Sequence, residues 1–247
     1  MKHGRIVATI EARMTSSRLP GKVLMPADGI PMLLHLVRRL RAVSSLDAIV
    51  IATTVNAADD PIADFAARED IAVFRGSESD VLGRVIGAAR SAAADIVVEI
   101  TGDCPIIDPD LVEQTIQTFL HHQADYVSNS VVRSYPDGMD TQVMTFAALQ
   151  RCADLTDDPL DREHVSRFIY QHPDMFSLVH VVAPPSLTWP ELGLTLDEAS
   201  DYELLKRVIE HLAPQDELFG CGAAIAFLRS NPDLLEINRR VVRKGCQ

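Results

Sequence analysis

Apolar and polar positions come in alternating blocks along the first half of the chain. Arg5–Ile10 (RIVATI) is a short apolar run that reads as a buried strand, and a polar loop containing Pro20, Gly21 and Gly29 follows it, from Glu11 to about Gly29. In Pro31–Val43, Leu33, Leu34, Val37 and Leu40 recur at helical spacing, and Pro31 suits a helix start. The rhythm continues with strand Ala48–Ala52, helix Pro61–Arg68, strand Ala72–Phe74 and helix Asp80–Ala93. Strand Asp95–Thr101, helix Asp108–His121 and strand Ala124–Ser128 complete it. Strands separated by helices of this length predict an α/β fold, with a mostly parallel central sheet and helices on both faces.

From about Val131 the rhythm changes. The pattern predicts a turn at Ser134–Gly138, a short strand at Thr141–Met144, a helix at Pro159–Gln171 and a strand at Ser177–Ala183, ended by Pro184 and Pro185. A further strand is expected at Leu192–Leu196, then helical segments at Ser200–His211 and Ala223–Arg229. With no internal repeat or low-complexity linker, residues 1–247 read as a single domain, with 131–183 an insertion within it.

Composition narrows the function. The chain has 247 residues, 47% hydrophobic and 23% charged, which is the balance of a globular protein. Its net charge of −12 repels phosphate backbones and argues against a general nucleic-acid role. Cys104, Cys152, Cys221 and Cys246 are scattered without C-x-x-C spacing, which disfavours a disulfide framework or a cysteine zinc site and suits the cytoplasm. The apolar run Ile6–Ile10 is too short for a signal-peptide core, and no window approaches the roughly 20 apolar residues of a membrane span.

In open α/β sheets ligands sit beyond the carboxyl ends of the strands, so the loops after the first strand and after Glu99–Thr101 are the places to look. Glu11–Lys22 (EARMTSSRLPGK) carries Arg13, Arg18 and Lys22, with hydroxyls at Thr15, Ser16 and Ser17 and Gly21 for close backbone approach. Forked guanidinium donors and a compact ammonium suit the oxygens of a triphosphate. The loop is not a Walker A motif, since Ser16 and Val23 stand where that motif needs glycine and a hydroxyl residue, and G-x-G-x-x-G is absent. Thr101–Asp108 (TGDCPIID) sets Asp103 at a strand end, a natural place for a Mg²⁺ ligand, whereas Asp108 is placed to cap the helix that follows. Asp197 lies beyond another expected strand and reads equally as a metal ligand or a helix-start residue. Asp137, Gly138 and Asp140 sit in a turn, where turn chemistry or contact with an acceptor accounts for them equally well. His164 lies in an amphipathic helix, where a structural role is the plainer reading.

Six stretches, in order, resemble the cytidylyltransferase family that makes activated sugar acids, and within it the spore-coat-polysaccharide branch. They are ARMTSSRLPGKVL at Ala12–Leu24, RGSESDVL at Arg75–Leu82, TGDCPIIDP at Thr101–Pro109, DGMDT at Asp137–Thr141, REHV at Arg162–Val165 and LTLDEASDYEL at Leu194–Leu204. The resemblance implies a Rossmann-like nucleotidyltransferase fold, CTP as donor and Mg²⁺ as cofactor. It implies that Arg13 and Lys22 hold the triphosphate and act catalytically, with Ser16, Arg18, Gly21 and Thr101 beside them. It places Arg75 and Asp80 near the base or ribose. It makes Asp103 and Asp197 the magnesium ligands and puts Asp137, Gly138, Asp140 and His164 on the acceptor side. It also implies a homodimer formed through the inserted segment. Two positions depart from the pattern: Glu11 stands where related sequences usually have glutamine, and Glu99 where this branch often has a basic residue. Both bear on the acceptor more than on the chemistry.

The expected reaction is transfer of CMP from CTP to a sugar acid, sugar phosphate or similar small acceptor, with release of pyrophosphate. Two alternatives stand beside it. One is a nucleotidyltransferase or glycosyltransferase using another nucleotide; the other is a non-catalytic nucleotide-binding protein on the same fold.

Overall fold

A computed structural model describes residues 4–242. The apolar runs of the first half become strands β1 (Ile6–Glu11), β4 (Ala48–Thr54), β5 (Ala72–Gly76) and β6 (Ile96–Thr101). Between β1 and β4 lie a small hairpin, β2 (Pro26–Ala27) and β3 (Ile30–Pro31), and helix α1 (Met32–Arg41). Asp28 and Gly29 both have positive φ (47° and 73°), as a two-residue hairpin turn of the primed type requires. Helices α2 (Asp60–Arg68) and α3 (Val81–Ser91) make the next two crossovers, and α4 (Pro109–His122) follows β6. Asp108 caps α4 as expected, accepting from Asp110 N at 2.9 Å.

Among the described residues the main sheet runs β5-β4-β1-β6-β8-β7-β9, where β7 is Tyr126–Ser128, β8 Gln142–Thr145 and β9 Leu178–His180. All neighbouring strands are parallel except β8, which runs antiparallel between β6 and β7. Helices α1, α2 and α4 cover one face with α8 (Ala199–Leu212) and α9 (Cys221–Ser230), through buried residues such as Leu33, Leu36, Ile62, Ile116, Leu204 and Ile225. The other face packs α3 with α5 (Phe146–Leu155) and α7 (Arg167–Gln171) through Leu82, Val85, Leu149 and Ile169. The alternation in β1 and β6 follows from these two layers: Ile6, Ala8 and Ile10 face the first, while Val7, Thr9 and Glu11 face the second.

Three expectations need correction. The helix expected over Pro159–Gln171 is two short ones, α6 (Pro159–Glu163) and α7, broken at His164–Ser166 where Val165 takes a φ of 34°. A β-branched residue there is strained, and its burial holds it in place. Leu192–Leu196 is extended but forms no ladder; it makes one bridge, Asp137 to Gly193, with Leu194 N donating to Asp137 O at 2.7 Å. Helix α5 lies where no element is expected, capped by the Thr145 hydroxyl, which accepts from Ala148 N at 2.9 Å.

Gly138 makes the Leu192–Leu196 crossing possible. Its φ is +104°, and a Cβ there would lie 2.6 Å from the Leu194 carbonyl oxygen. Gly138→Ala is expected to cost about 2 kcal/mol and lower the melting temperature. An unchanged melting temperature would show that the backbone is free to retreat.

Candidate active site

The basic loop is built by backbone hydrogen bonds and pinned at one buried carboxylate. Gly21 N donates to Met14 O at 2.9 Å, and Lys22 N donates to Leu19 O at 3.3 Å as a single turn over Lys22–Leu24 begins. Fully buried Asp59, at the start of α2, accepts from Met14 N at 2.6 Å and from the Thr54 hydroxyl. The loop is therefore fastened to the carboxyl end of β4.

The Lys22 ammonium lies between two carboxylates, 3.2 Å from Asp103 Oδ2 and 3.1 Å from Asp197 Oδ1. Burial opposes the Lys22 charge, but the two aspartates outweigh it and hold its pKa above the usual lysine value. Arg18 reaches Asp197 at 2.9 Å and Glu198 at 3.4 Å. The two aspartates meet because Leu196 N donates to Asp103 O at 2.8 Å, tying the extended 192–196 segment to the loop after β6. Glu198, read in sequence only as part of a motif, completes a capping box with Asp201 at the start of α8.

Arg13, Ser16, Arg18, Lys22, Thr101, Asp103 and Asp197 line one cleft of about 250 Å³, with Ser17 and Arg84. Arg13 is held loosely, 3.5 Å from Glu78, and keeps much of its surface. Gly21 serves the loop's turn beside them. A second cleft of about 610 Å³ adjoins the first and shares Glu11, Thr101, Glu163 and His164 with it. Asp140 and His164 line this second cleft, His164 because the break after α6 turns it there.

Other expected site residues lie elsewhere. Arg75 donates to Thr54 O and Asn56 O, both at 2.8 Å, and pairs with Asp60 at 2.7 Å, so it braces the loop after β4. Asp80 caps α3 through Gly83 N at 2.9 Å and pairs with Arg162 at 2.8 Å. Neither lines either cleft. Buried Asp137 pairs with Arg133 at 3.1 Å and, with Gly138, positions the 192–196 segment. Glu78 is a gain over the sequence reading: it gathers Arg13, Thr15 (2.9 Å) and Asn56 (2.6 Å) at the rim. Its signal was only a place within the RGSESD stretch.

Glu11 and Glu99 form a carboxyl pair at the junction of the clefts. Glu11 sits opposite Thr101 in the β1–β6 register, and Glu99 opposite Gln142 of β8, whose side-chain amide donates to it. Burial, then the Glu11 carboxylate, push the Glu99 pKa well above the ordinary 4.5. Burial also raises Glu11, against the pull of its hydrogen bond with Glu99 and of Arg84. Glu99 therefore holds its proton more tightly in the fold than in the unfolded chain. Because the native state binds more protons than the unfolded chain, stability falls as pH rises above the unfolded value of 4.5 toward the folded one. Glu99→Gln mimics the protonated form and removes this loss. Its melting temperature is expected to match the wild type near pH 4.5 and to exceed it by about 3 °C near pH 8. A variant less stable than the wild type at both values would contradict the assignment.

Comparison with known proteins bears on the fold and the family. The family model described as cytidylyltransferase matches residues 7–221. The chain is 32% identical over 235 residues to the spore coat polysaccharide biosynthesis protein SpsF of Bacillus subtilis, covering 92% of this chain and 95% of that one. It is 32% identical over 125 residues to the 8-amino-3,8-dideoxy-manno-octulosonate cytidylyltransferase of Shewanella amazonensis, covering 49% and 50% of the two chains. The solved structure of a cytidylyltransferase from Leptospira borgpetersenii superposes with a TM-score of 0.90 at 28% identity, over 98% of this chain and 100% of that one. The family match, the identity over nearly the whole chain and the fold together place this chain in the cytidylyltransferase family, nucleotidyltransferase enzymes built on a Rossmann-like sheet.

Proposed function

We propose that this chain transfers CMP from CTP to a sugar acid or closely related acceptor, releasing pyrophosphate, with Mg²⁺ as cofactor. The observation that carries the reading is the convergence of Lys22, Asp103 and Asp197 in a cleft that opens directly onto a second, larger one. The first cleft would take the triphosphate and the second the acceptor, so that the two substrates meet near Glu11, Thr101 and His164.

An acceptor oxygen attacks the α-phosphorus, and the bond to pyrophosphate breaks. In such a displacement the protein mainly positions the reactants and stabilises charge. Lys22 and Arg13 would neutralise charge growing on pyrophosphate, with Arg18 and the hydroxyls of Ser16 and Ser17 adding donors. Asp103 and Asp197 suit Mg²⁺, because two oxygen ligands from different segments already share one cation, and this ion takes few ligands from protein. When bound there, Mg²⁺ supplies Lewis-acid polarisation of phosphate oxygens.

Mass spectrometry of the product tests the reading. A CMP-linked sugar acid formed from CTP supports it. A glycosidic product made from a nucleotide-sugar donor would favour a glycosyltransferase instead.

Assembly as a homodimer belongs to the same reading. Within 131–183, Val131, Val132, Leu155, Leu160 and Val182 expose apolar surface. A monomer in sedimentation equilibrium would remove this part.

A further inference from the structure

We infer that the acceptor carries a basic amine, and that the wall formed by Glu11, Glu99 and Asp140 recognises it. The inference rests on the second cleft being the acceptor site. That cleft is lined by five carboxyl side chains, Glu11, Glu99, Asp140, Glu163 and Glu191, against Arg133 and His164. Arg133 is already paired, to Asp137 at 3.1 Å and Asp140 at 3.4 Å.

The fold supplies these carboxyl groups with few donors: Gln142 for Glu99 and Arg133 for Asp140. Glu11 Oε1 is buried with no amide, hydroxyl or guanidinium hydrogen on it, and its neighbour is the Glu99 carboxyl. Glu99 is 3% exposed and receives one amide hydrogen, from Gln142. Gln142 is itself fixed, since its carbonyl oxygen accepts from the Tyr126 and Ser166 hydroxyls, both at 2.5 Å. Burial, opposed by Arg133, brings Asp140 to about 7. The wall thus carries carboxyl groups that receive few hydrogens from the fold, and Asp140 is the one poised to give up a proton near neutral pH. An ammonium supplies the missing hydrogens and charge, and the wall releases a proton as it docks. A hydroxyl in the same place offers one hydrogen and no charge, and an anionic group meets repulsion.

The test compares two probes that differ at one substituent, 8-amino-3,8-dideoxy-manno-octulosonate and 3-deoxy-manno-octulosonate, by calorimetric titration at neutral pH with the full-length chain. The amine probe is expected to bind about tenfold tighter or more, the margin of one charged hydrogen bond over a neutral one. Protons should be released on binding, seen as a buffer-dependent heat. Glu99→Gln should shrink the preference while still binding the hydroxyl probe. Equal or tighter binding of the hydroxyl probe, or binding of neither, would overturn the inference. Pyrophosphate release from CTP, measured on the same samples, judges the cytidylyltransferase reading separately: release with the hydroxyl acid alone would refute the amine and keep the reaction.

Discussion

Replacing Lys22 with alanine is expected to lower kcat/KM for pyrophosphate release by about a thousandfold, the scale seen when one preorganised charge donor is removed from a reacting phosphate or oxyanion. Lys22 is the cation shared by Asp103 and Asp197, and its pKa is raised by them, so it stays charged throughout the working pH range. Without it the two carboxylates face an incoming triphosphate with their own negative charge. The fold should survive, because Arg18 remains on Asp197 and the loop is held by backbone bonds and by Asp59, none of which needs the lysine side chain. Circular dichroism and thermal melting check the fold, and a coupled pyrophosphate assay reads the rate. Near-normal turnover in a folded variant would strip Lys22 of its role.

Asp103→Asn is expected to lower the rate by a similar factor, about a thousandfold, and to flatten its dependence on Mg²⁺ concentration. The substitution keeps the shape and an acceptor for Lys22 while removing the negative charge a metal would need. The tie between Leu196 N and the Asp103 carbonyl is a backbone bond and is unaffected, so Asp197 should keep its place. Titrating Mg²⁺ into wild type and variant separates metal binding from general damage. A variant that is slow but retains the wild-type magnesium midpoint would show that Asp103 holds Lys22 and not the ion.

The first half of the fold was legible because each element buries a continuous stripe or run, and the parallel crossovers repeat it. The position of β8 was not legible: its insertion between β6 and β7 depends on pairing across 40 or more residues, as Glu99 with Gln142 shows. The break between α6 and α7 was hidden because the apolar spacing continues through Val165, whose strained backbone only tertiary packing supports. Leu192–Leu196 carries the apolar pattern of a strand, yet it is spent on linking Asp137 and Asp103, not on a ladder. The D-G pair at Asp28–Gly29 and the T-F-A-A-L start of α5 were local signals left unused.

For the site, the basic loop and Asp103 were readable from charge and position alone, because few other places in an acidic chain gather three cations. Asp197 was ambiguous from its position and was named only through the family resemblance; the structure brings it to Asp103 across 94 residues (197 − 103) through one backbone hydrogen bond. Asp59 has no place in the sequence reading, because its tie to Met14 N spans 45 residues and leaves no local trace. Arg75 and Asp80 looked available for a ligand because arginine and aspartate serve bracing and capping as readily as binding.

The most direct measurement is pyrophosphate release with CTP, ATP, GTP and UTP in turn, each with Mg²⁺ and a panel of sugar acids. Release with CTP, dependent on both an acid acceptor and the metal, is the predicted result. Release that ignores the acceptor, or that favours another nucleotide, would contradict the assignment of CMP transfer to this chain.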